Sequence, residues 1–254
     1  MIEILYGRNG VCESLRAGRR KPYKLLLAEG VRETDSINQI VSLAKQAGVR
    51  TAQVRRQDLD QLGGVHHQGV ALETGDYPYS SLDEIIASAQ TRGEAPLILL
   101  LDLLKDPQNV GSLLRTAEAV GVHGMVIQRR RAVGITPAVV HASAGAVEHL
   151  LVAQVTNLVD AIGRLKGHDV WVAGLEVARD AQFHTKADLT GALALVVGSE
   201  GEGMRRLVRE RCDFLVQLPM RGQVTSLNAS VAGSIVLYEV LRQRETQANE
   251  RMSE

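Results

Sequence analysis

The chain has 254 residues, 45% hydrophobic and 23% charged, a profile that fits one large or two smaller globular domains and excludes disorder on the scale of a domain. Its 29 Lys and Arg balance 29 Asp and Glu, so wholesale coating of nucleic acid is excluded while local basic patches are not. Aromatics make up only 3%, which points to a core of Leu, Val, Ile and Ala and away from stacking of single-stranded bases on aromatic side chains.

Residues 1–75 read as a small α/β domain. Helical spacing covers 5–17, a strand 24–28, and an apolar-periodic helix 34–48 that stops at Gly48. A strand over 51–55, a short helix over 58–62 and a strand over 70–74 complete it. Arg16, Arg19, Arg20, Lys21 and Lys24 form a basic cluster, read equally well as a phosphate-contacting patch or a solvated face. The turn-forming GDYPYS at 75–80 opens a linker, assigned to 76–94, which holds a short helix over 81–90 capped by Ser81.

From residue 95 to the end, continuous apolar strands alternate with helices. The strands are expected at 97–101, 124–128, 169–173, 193–197 and 214–218, the helices at 111–119, 137–143, 157–166, 204–210 and 230–243. Such a pattern implies a parallel sheet covered on both faces. Cys12 and Cys212 make neither a disulfide framework nor a zinc spacing, and the histidines lack metal-ligand spacing, so no metal is expected. The first ten residues do not read as a signal peptide, and the apolar run before Asp102 is too short to cross a bilayer; a cytoplasmic location is expected.

Three segments share a design of strand end, polar or glycine-rich loop, then helix, which is where ligands bind in open parallel sheets. In LDLLKDPQNVGSLLRTAEAVG (101–121), Asn109 sits just before a helix and Arg115 lies inside it; a cap and an Arg115–Glu118 pair are the plainer reading. In ALALVVGSEGEGM (192–204), three glycines follow a strand, but the phosphate-loop Lys is missing and Glu200 and Glu202 oppose phosphate. In LPMRGQVTSLNASVAGSIVLYEVLRQ (218–243), a long polar loop with Ser226 and Asn228 leads into an apolar-striped helix, where either could simply be the cap.

Together and in this order, Asn109 and Arg115, then Gly198, Glu200 and Gly203, then Pro219, Ser226, Leu227 and Asn228 resemble the three motifs of the SpoU/TrmH family of RNA 2′-O-ribose methyltransferases, within the SPOUT class. ITPAVVHASAGAVEHL (135–150) and HHQGVAL (66–72) resemble further elements, the latter of the RlmB-like branch, which methylates a guanosine ribose of 23S rRNA. The resemblance extends over essentially the whole chain. It implies an α/β fold: a C-terminal SPOUT domain (95–254) with a parallel sheet and a deep trefoil knot, and a small N-terminal domain (1–75) related to ribosomal-protein RNA binders. It implies S-adenosylmethionine as cofactor, held around Ala173, Gly174, Val197, Gly198, Ser199, Gly203, Leu218, Pro219, Met220, Ser226 and Leu227. Asn109, Arg115, Glu200, Ser226 and Asn228 become the catalytic candidates. Arg8, Arg19, Arg20, Lys21, Arg129 and Arg130 become candidate RNA contacts. A homodimer through the C-terminal domain is implied, with the substrate reaching a site built by both subunits. A tRNA ribose methyltransferase, an antibiotic-resistance rRNA methyltransferase and a catalytically silent RNA-binding or ribosome-assembly protein are the alternatives.

Overall fold

A computed structural model describes residues 2–62 and 66–253, with no side chains described for 251–253. The chain divides into two compact units, one of residues 1–78 and 135–149, the other of 79–134 and 150–254.

The first unit runs β1 (Glu3–Tyr6), α1 (Arg8–Ala17), β2 (Pro22–Ala28), α2 (Asp35–Gln46), β3 (Arg50–Val54), α3 (Arg56–Asp60) and β4 (Val70–Thr74). Its strands form one sheet in the order β1-β4-β2-β3, antiparallel except for β2 and β3. Helical spacing starting at residue 5 misread the first four-residue strand, since α1 begins only at Arg8, after Gly7 at φ 83° turns the chain. Thr34 caps α2 by accepting from the Ile37 N–H, as its position before an apolar-periodic run leads one to expect. The 66–72 element is a turn: Gln68 and Gly69 both have positive φ, and His67 closes it by accepting from the Gly69 N–H while its other nitrogen meets Asp60 at 2.9 Å.

The second unit opens with α4 (Leu82–Arg92), where Ser81 and Glu84 make a reciprocal capping box. It continues with β5 (Leu97–Asp102), α5 (Pro107–Ala119) and β6 (Gly124–Gln128). The chain then enters the first unit for α6 (Pro137–Ala142) and a 3-10 turn (Ala146–His149). It returns as β7 (Leu151–Val155), α7 (Leu158–Lys166), β8 (Trp171–Leu175), β9 (Gln182–Phe183), β10 (Leu193–Gly198), α8 (Arg206–Arg209), β11 (Phe214–Gln217) and α9 (Ala229–Ser253). The seven strands form an all-parallel sheet in the order β7-β6-β5-β10-β8-β11-β9. Every residue of β5 and β10 is buried, which is why both read as unbroken apolar runs.

β8 lies two residues later than the strand expected at 169–173, because Asp169 sits at φ 57° in the turn that follows α7 and cannot begin an extended segment. That shift matters at the site. α9 packs close to α5 through Gly233, where a Cβ would lie 2.9 Å from Leu113 Cδ1 and 3.2 Å from Val197 Cγ2. No helix of the described residues is long and apolar enough to cross a membrane.

Candidate active site

The carboxyl ends of β10, β8 and β11 open onto a cavity of about 540 Å³. Three loops border it. The first link lies just beside it, on α5. Asp106 caps that helix by accepting from Gln108 N–H at 3.1 Å, and Pro107 at the first turn needs no partner for its missing N–H. Asn109 therefore stands in the first turn rather than at the cap. Its side-chain amide donates to Glu200 Oε1, and its Oδ1 accepts from Asn228 Nδ2 at 2.9 Å. Arg115 is further along the same helix, exposed, and among the described residues has no hydrogen bond or ion pair, including none to Glu118.

The second loop follows β10. Gly198 is pressed against the returning backbone, where a Cβ would fall 2.4 Å from Gly203 C and from Met204 N. Ser199 and Gly203 exchange two backbone hydrogen bonds, at 3.1 and 2.9 Å, with Gly201 and Gly203 at positive φ. This tight turn pushes Glu200 and Glu202 into the cavity wall. A buried carboxylate braces it from below. Asp102, fully buried at the end of β5, accepts from Arg205 N–H at 2.8 Å, Arg205 Nε at 2.8 Å and Gln128 Nε2 at 3.0 Å. The sequence carried the Asp at the strand end, yet nothing local announced its partner about a hundred residues away.

The third loop precedes α9. Residues 221–228 are all exposed. Asn228, not Ser226, caps the helix: its Oδ1 accepts from Ser230 N–H at 2.9 Å, Ser230 Oγ at 2.7 Å and Val231 N–H at 3.3 Å. Ser230, buried and missed in the sequence, also reaches Asn109 Oδ1 at 3.5 Å. A continuous chain, Glu200–Asn109–Asn228–Ser230, thus ties the three loops together. Ser226 lines the cavity without a hydrogen bond among the described residues.

Of the candidate cofactor contacts, Val197, Gly198, Ser199, Gly203, Leu218, Met220, Ser226 and Leu227 line the cavity. Ala173 and Gly174 do not. They are buried within β8, and a Cβ on Gly174 would strike Met204, Leu215 and Cys212. Because β8 runs on to Leu175, the residues that reach the cavity are Leu175, Glu176 and Val177. Pro219 is exposed beside it without lining it. Three carboxylates and no Lys or Arg line this space among the described residues. Such a wall disfavours phosphate and suits a cationic ligand that carries none. The volume and the apolar walls from Leu175, Leu218 and Met220 fit a nucleoside-sized molecule. S-adenosylmethionine, a sulfonium nucleoside without phosphate, meets each of these conditions.

The basic candidates separate. Arg20 is buried, with Nε 2.9 Å from Glu148 Oε1 and its Nη1 2.5 Å from Glu3 Oε2, so it is a core ion pair and not an RNA contact. Burial raises the Glu148 carboxyl, against the pull of Arg20, and pushes the neighbouring Tyr77 hydroxyl up to about 12. Arg19 donates to Tyr77 Oη at 3.0 Å and Pro78 O at 3.1 Å; Arg8 donates to Thr34 Oγ1 at 3.0 Å and Ser36 Oγ at 3.2 Å. Both are half-buried braces. Lys21, Arg129 and Arg130 are exposed.

A parallel α/β sheet with an acidic cavity at its carboxyl ends, suited to a cationic nucleoside cofactor without phosphate, and an Asn/Glu/Asn chain at the rim make up the site. Residues 96–238 match the SpoU rRNA Methylase family and residues 4–80 the RNA 2′-O ribose methyltransferase substrate binding family. The protein named TrmH family tRNA/rRNA methyltransferase YacO of Bacillus subtilis (strain 168) is 47% identical over 95% of this chain and 96% of its own. A protein named in the same way from Staphylococcus haemolyticus (strain JCSC1435) is 43% identical over 95% and 96%. The fold superposes on the SpoU methyltransferase AviRb of Streptomyces viridochromogenes in complex with AdoMet, with a TM-score of 0.80 at 23% identity, covering 96% of this chain and 91% of that one. The chain belongs to the SpoU rRNA Methylase family, and it is an S-adenosylmethionine-dependent RNA methyltransferase.

Proposed function

We propose that this enzyme methylates a ribose 2′-hydroxyl in rRNA, a guanosine of 23S rRNA, at the cavity rim formed by Asn109, Glu200, Ser226 and Asn228. The observation that carries this reading is the hydrogen-bonded Glu200–Asn109–Asn228 chain, with Arg115, unpaired among the described residues, further along the helix that carries Asn109. When bound, S-adenosylmethionine supplies an electrophilic methyl group. Ala173 and Gly174 lie buried within β8, short of the cavity wall; Val197, Gly198, Ser199, Gly203, Leu218, Met220, Ser226 and Leu227 enclose the cofactor, with Pro219 at the edge. A hydroxyl is a weak nucleophile until its proton is withdrawn. Arginine is a poor candidate for the withdrawal, since its reference pKa is about 12.5–13.8. Charged Arg115 instead holds an RNA phosphate and stabilises the developing alkoxide, with the proton passing to water. Asn109 keeps Glu200 and Asn228 in register so that the ribose meets a fixed edge.

Lys21, Arg129 and Arg130 offer phosphate contacts. The trefoil knot belongs to the same reading, supported by the strand order β5-β10-β8-β11 and by two long loops, after β10 and after β11, that border one cavity. A homodimer through α9 does too: Val231, Ile235 and Tyr238 are 47%, 40% and 54% exposed at helical spacing. The target is assigned to rRNA on the N-terminal substrate-binding match and the 66–72 turn; tRNA is the second reading, because the relatives' printed names include both. Mapping ribose methylation across rRNA and tRNA in a deletion strain decides between them. Loss of one 23S guanosine mark is expected, and an unchanged rRNA map sinks the assignment.

A further inference from the structure

We infer that Asp102 and Gln128, two buried residues that do not line the cavity, are positioning residues for methyl transfer: they hold the loop after β5 and the loop after β10 in register, so that Asn109 meets Glu200. This rests on reading Asn109 and Glu200 as part of the catalytic rim. Asp102 closes β5 and Gln128 closes β6, and they are 0% and 4% exposed. Every other residue of β5 is Leu or Ile. An apolar residue at position 102 would pack there without dehydrating a charge, so the carboxylate needs a reason beyond stability. Asp102 lies opposite Gly198 of β10, where the second loop begins.

The bonds of the pair end on the two loops. Gln128 Oε1 accepts from Leu103 N–H at 3.1 Å, and Gln128 Nε2 donates to Asp102 Oδ1 at 3.0 Å. Asp102 Oδ2 then accepts from Arg205 N–H at 2.8 Å. Leu103 starts the segment that leads to the Asp106 cap and Asn109, and Arg205 leaves the turn that holds Glu200. A buried chain, Leu103–Gln128–Asp102–Arg205, thus joins behind the site the same two loops that Asn109 and Glu200 join in front. Leu103 has φ 61°, a left-handed conformation that a bulky side chain disfavours and that persists only where its surroundings over-determine it. The Gln128 acceptor is part of that constraint. Polarity is fixed along the chain. Its two ends are backbone N–H groups and demand acceptors, so the middle must be one amide facing one carboxylate. Asn at 102 sets donor against donor, and Glu at 128 sets acceptor against acceptor. Exchanging the two restores all three bonds, with the half-exposed Arg205 guanidinium free to turn to water.

The test is a double-mutant cycle of Asp102→Asn, Gln128→Glu and the two combined. Each protein is assayed for methyl transfer to saturating RNA from the deletion strain, well below its thermal midpoint, and for calorimetric affinity for S-adenosylhomocysteine. Each single variant should lose about 10²-fold in kcat, the scale of a misplaced reacting group, and far less in affinity. The double variant should fold and recover most of the kcat. Single variants whose thermal midpoint falls while kcat stays unchanged would make the pair merely structural and overturn the proposal, as would a loss that falls in affinity rather than kcat. A double variant that stays as slow as the single ones, or does not fold, overturns it too, and this arm decides even where neither single variant folds. Asn109→Ala in the same assay should lose kcat; if it does not, the reading of the rim is what fails.

Discussion

At the scale of residues, the site separates side chains that are held from Arg115 and Ser226, which make no hydrogen bond among the described residues. Asn109 has both ends of its amide occupied, one by Glu200 and one by Asn228, and Asn228 is in turn fixed by the first N–H groups of α9. These groups are preorganised and suited to orientation. Arg115 has no partner among the described residues and stands exposed one helix turn and more beyond them, which suits a group whose partner arrives with the RNA. Arg115→Ala should therefore lower kcat by about 10²–10³-fold, the range for removing a transition-state charge stabiliser, while calorimetric affinity for S-adenosylhomocysteine stays unchanged. Arg115→Lys should recover little, because an ammonium cannot reproduce the planar fork on phosphate. A pH–rate profile whose rising limb moves with Arg115→Lys would instead make the residue the base. The motif residues were legible because they are local strings. Asp102–Arg205 and Ser230–Asn109 were not, since each pairs side chains about a hundred residues apart and only the fold supplies the second member.

At the scale of elements, continuous apolar strands such as β5 and β10 announced themselves, and β1, β7 and β9 did not. β7, LVAQV, buries only Val152 and Ala153 and is broken by Gln154; β9 has two residues; β1 shares its apolar residues with a helical spacing. β8 begins two residues later than expected, and the residues at its end that line the cavity are Leu175 and Glu176, not Ala173 and Gly174. α9 shows what polar contacts do for a long helix. Arg244 donates to Ala95 O, Pro96 O and Gly191 O, and Gln243 donates to Ala187 O, anchoring the helix beyond its apolar stretch. Glu239 joins Gln243 at 2.8 Å and Arg242 at 2.7 Å. The hydrogen bond from Arg242 holds its carboxyl down at about 2. A carboxyl depressed in the folded state contributes stability above its unfolded value, about 4.3, and loses it as pH falls towards the folded value. Thermal midpoints measured from pH 5 down to pH 2 should fall in the wild type, and Glu239→Gln should show a lower midpoint at pH 5 with a shallower decline. Parallel curves for the two proteins would show that the pair does not govern acid stability.

At the scale of the whole molecule, the distribution of apolar surface bears on assembly. Most large apolar side chains of the sheet unit are buried, yet Val231, Ile235 and Tyr238 project from one face of α9, and Leu227, 40% exposed, sits at the cavity rim just before it. A stripe at positions i, i+4 and i+7 would gain from being covered. A second copy of the chain covering it would bury the stripe against its own and lie beside the proposed active site. The stripe is on the face away from Gly233, whose contact with Leu113 keeps α9 seated on α5, so charge placed on it should leave the sheet unit intact. The wild type should sediment at twice the chain mass of 27.5 kDa. The double variant Ile235→Asp with Tyr238→Asp should sediment as a monomer, keep its thermal transition and its calorimetric affinity for S-adenosylhomocysteine, and lose methyl transfer to RNA. Retained transfer by that monomer would show that each chain carries a complete site, and a monomeric wild type would leave the stripe to some other partner.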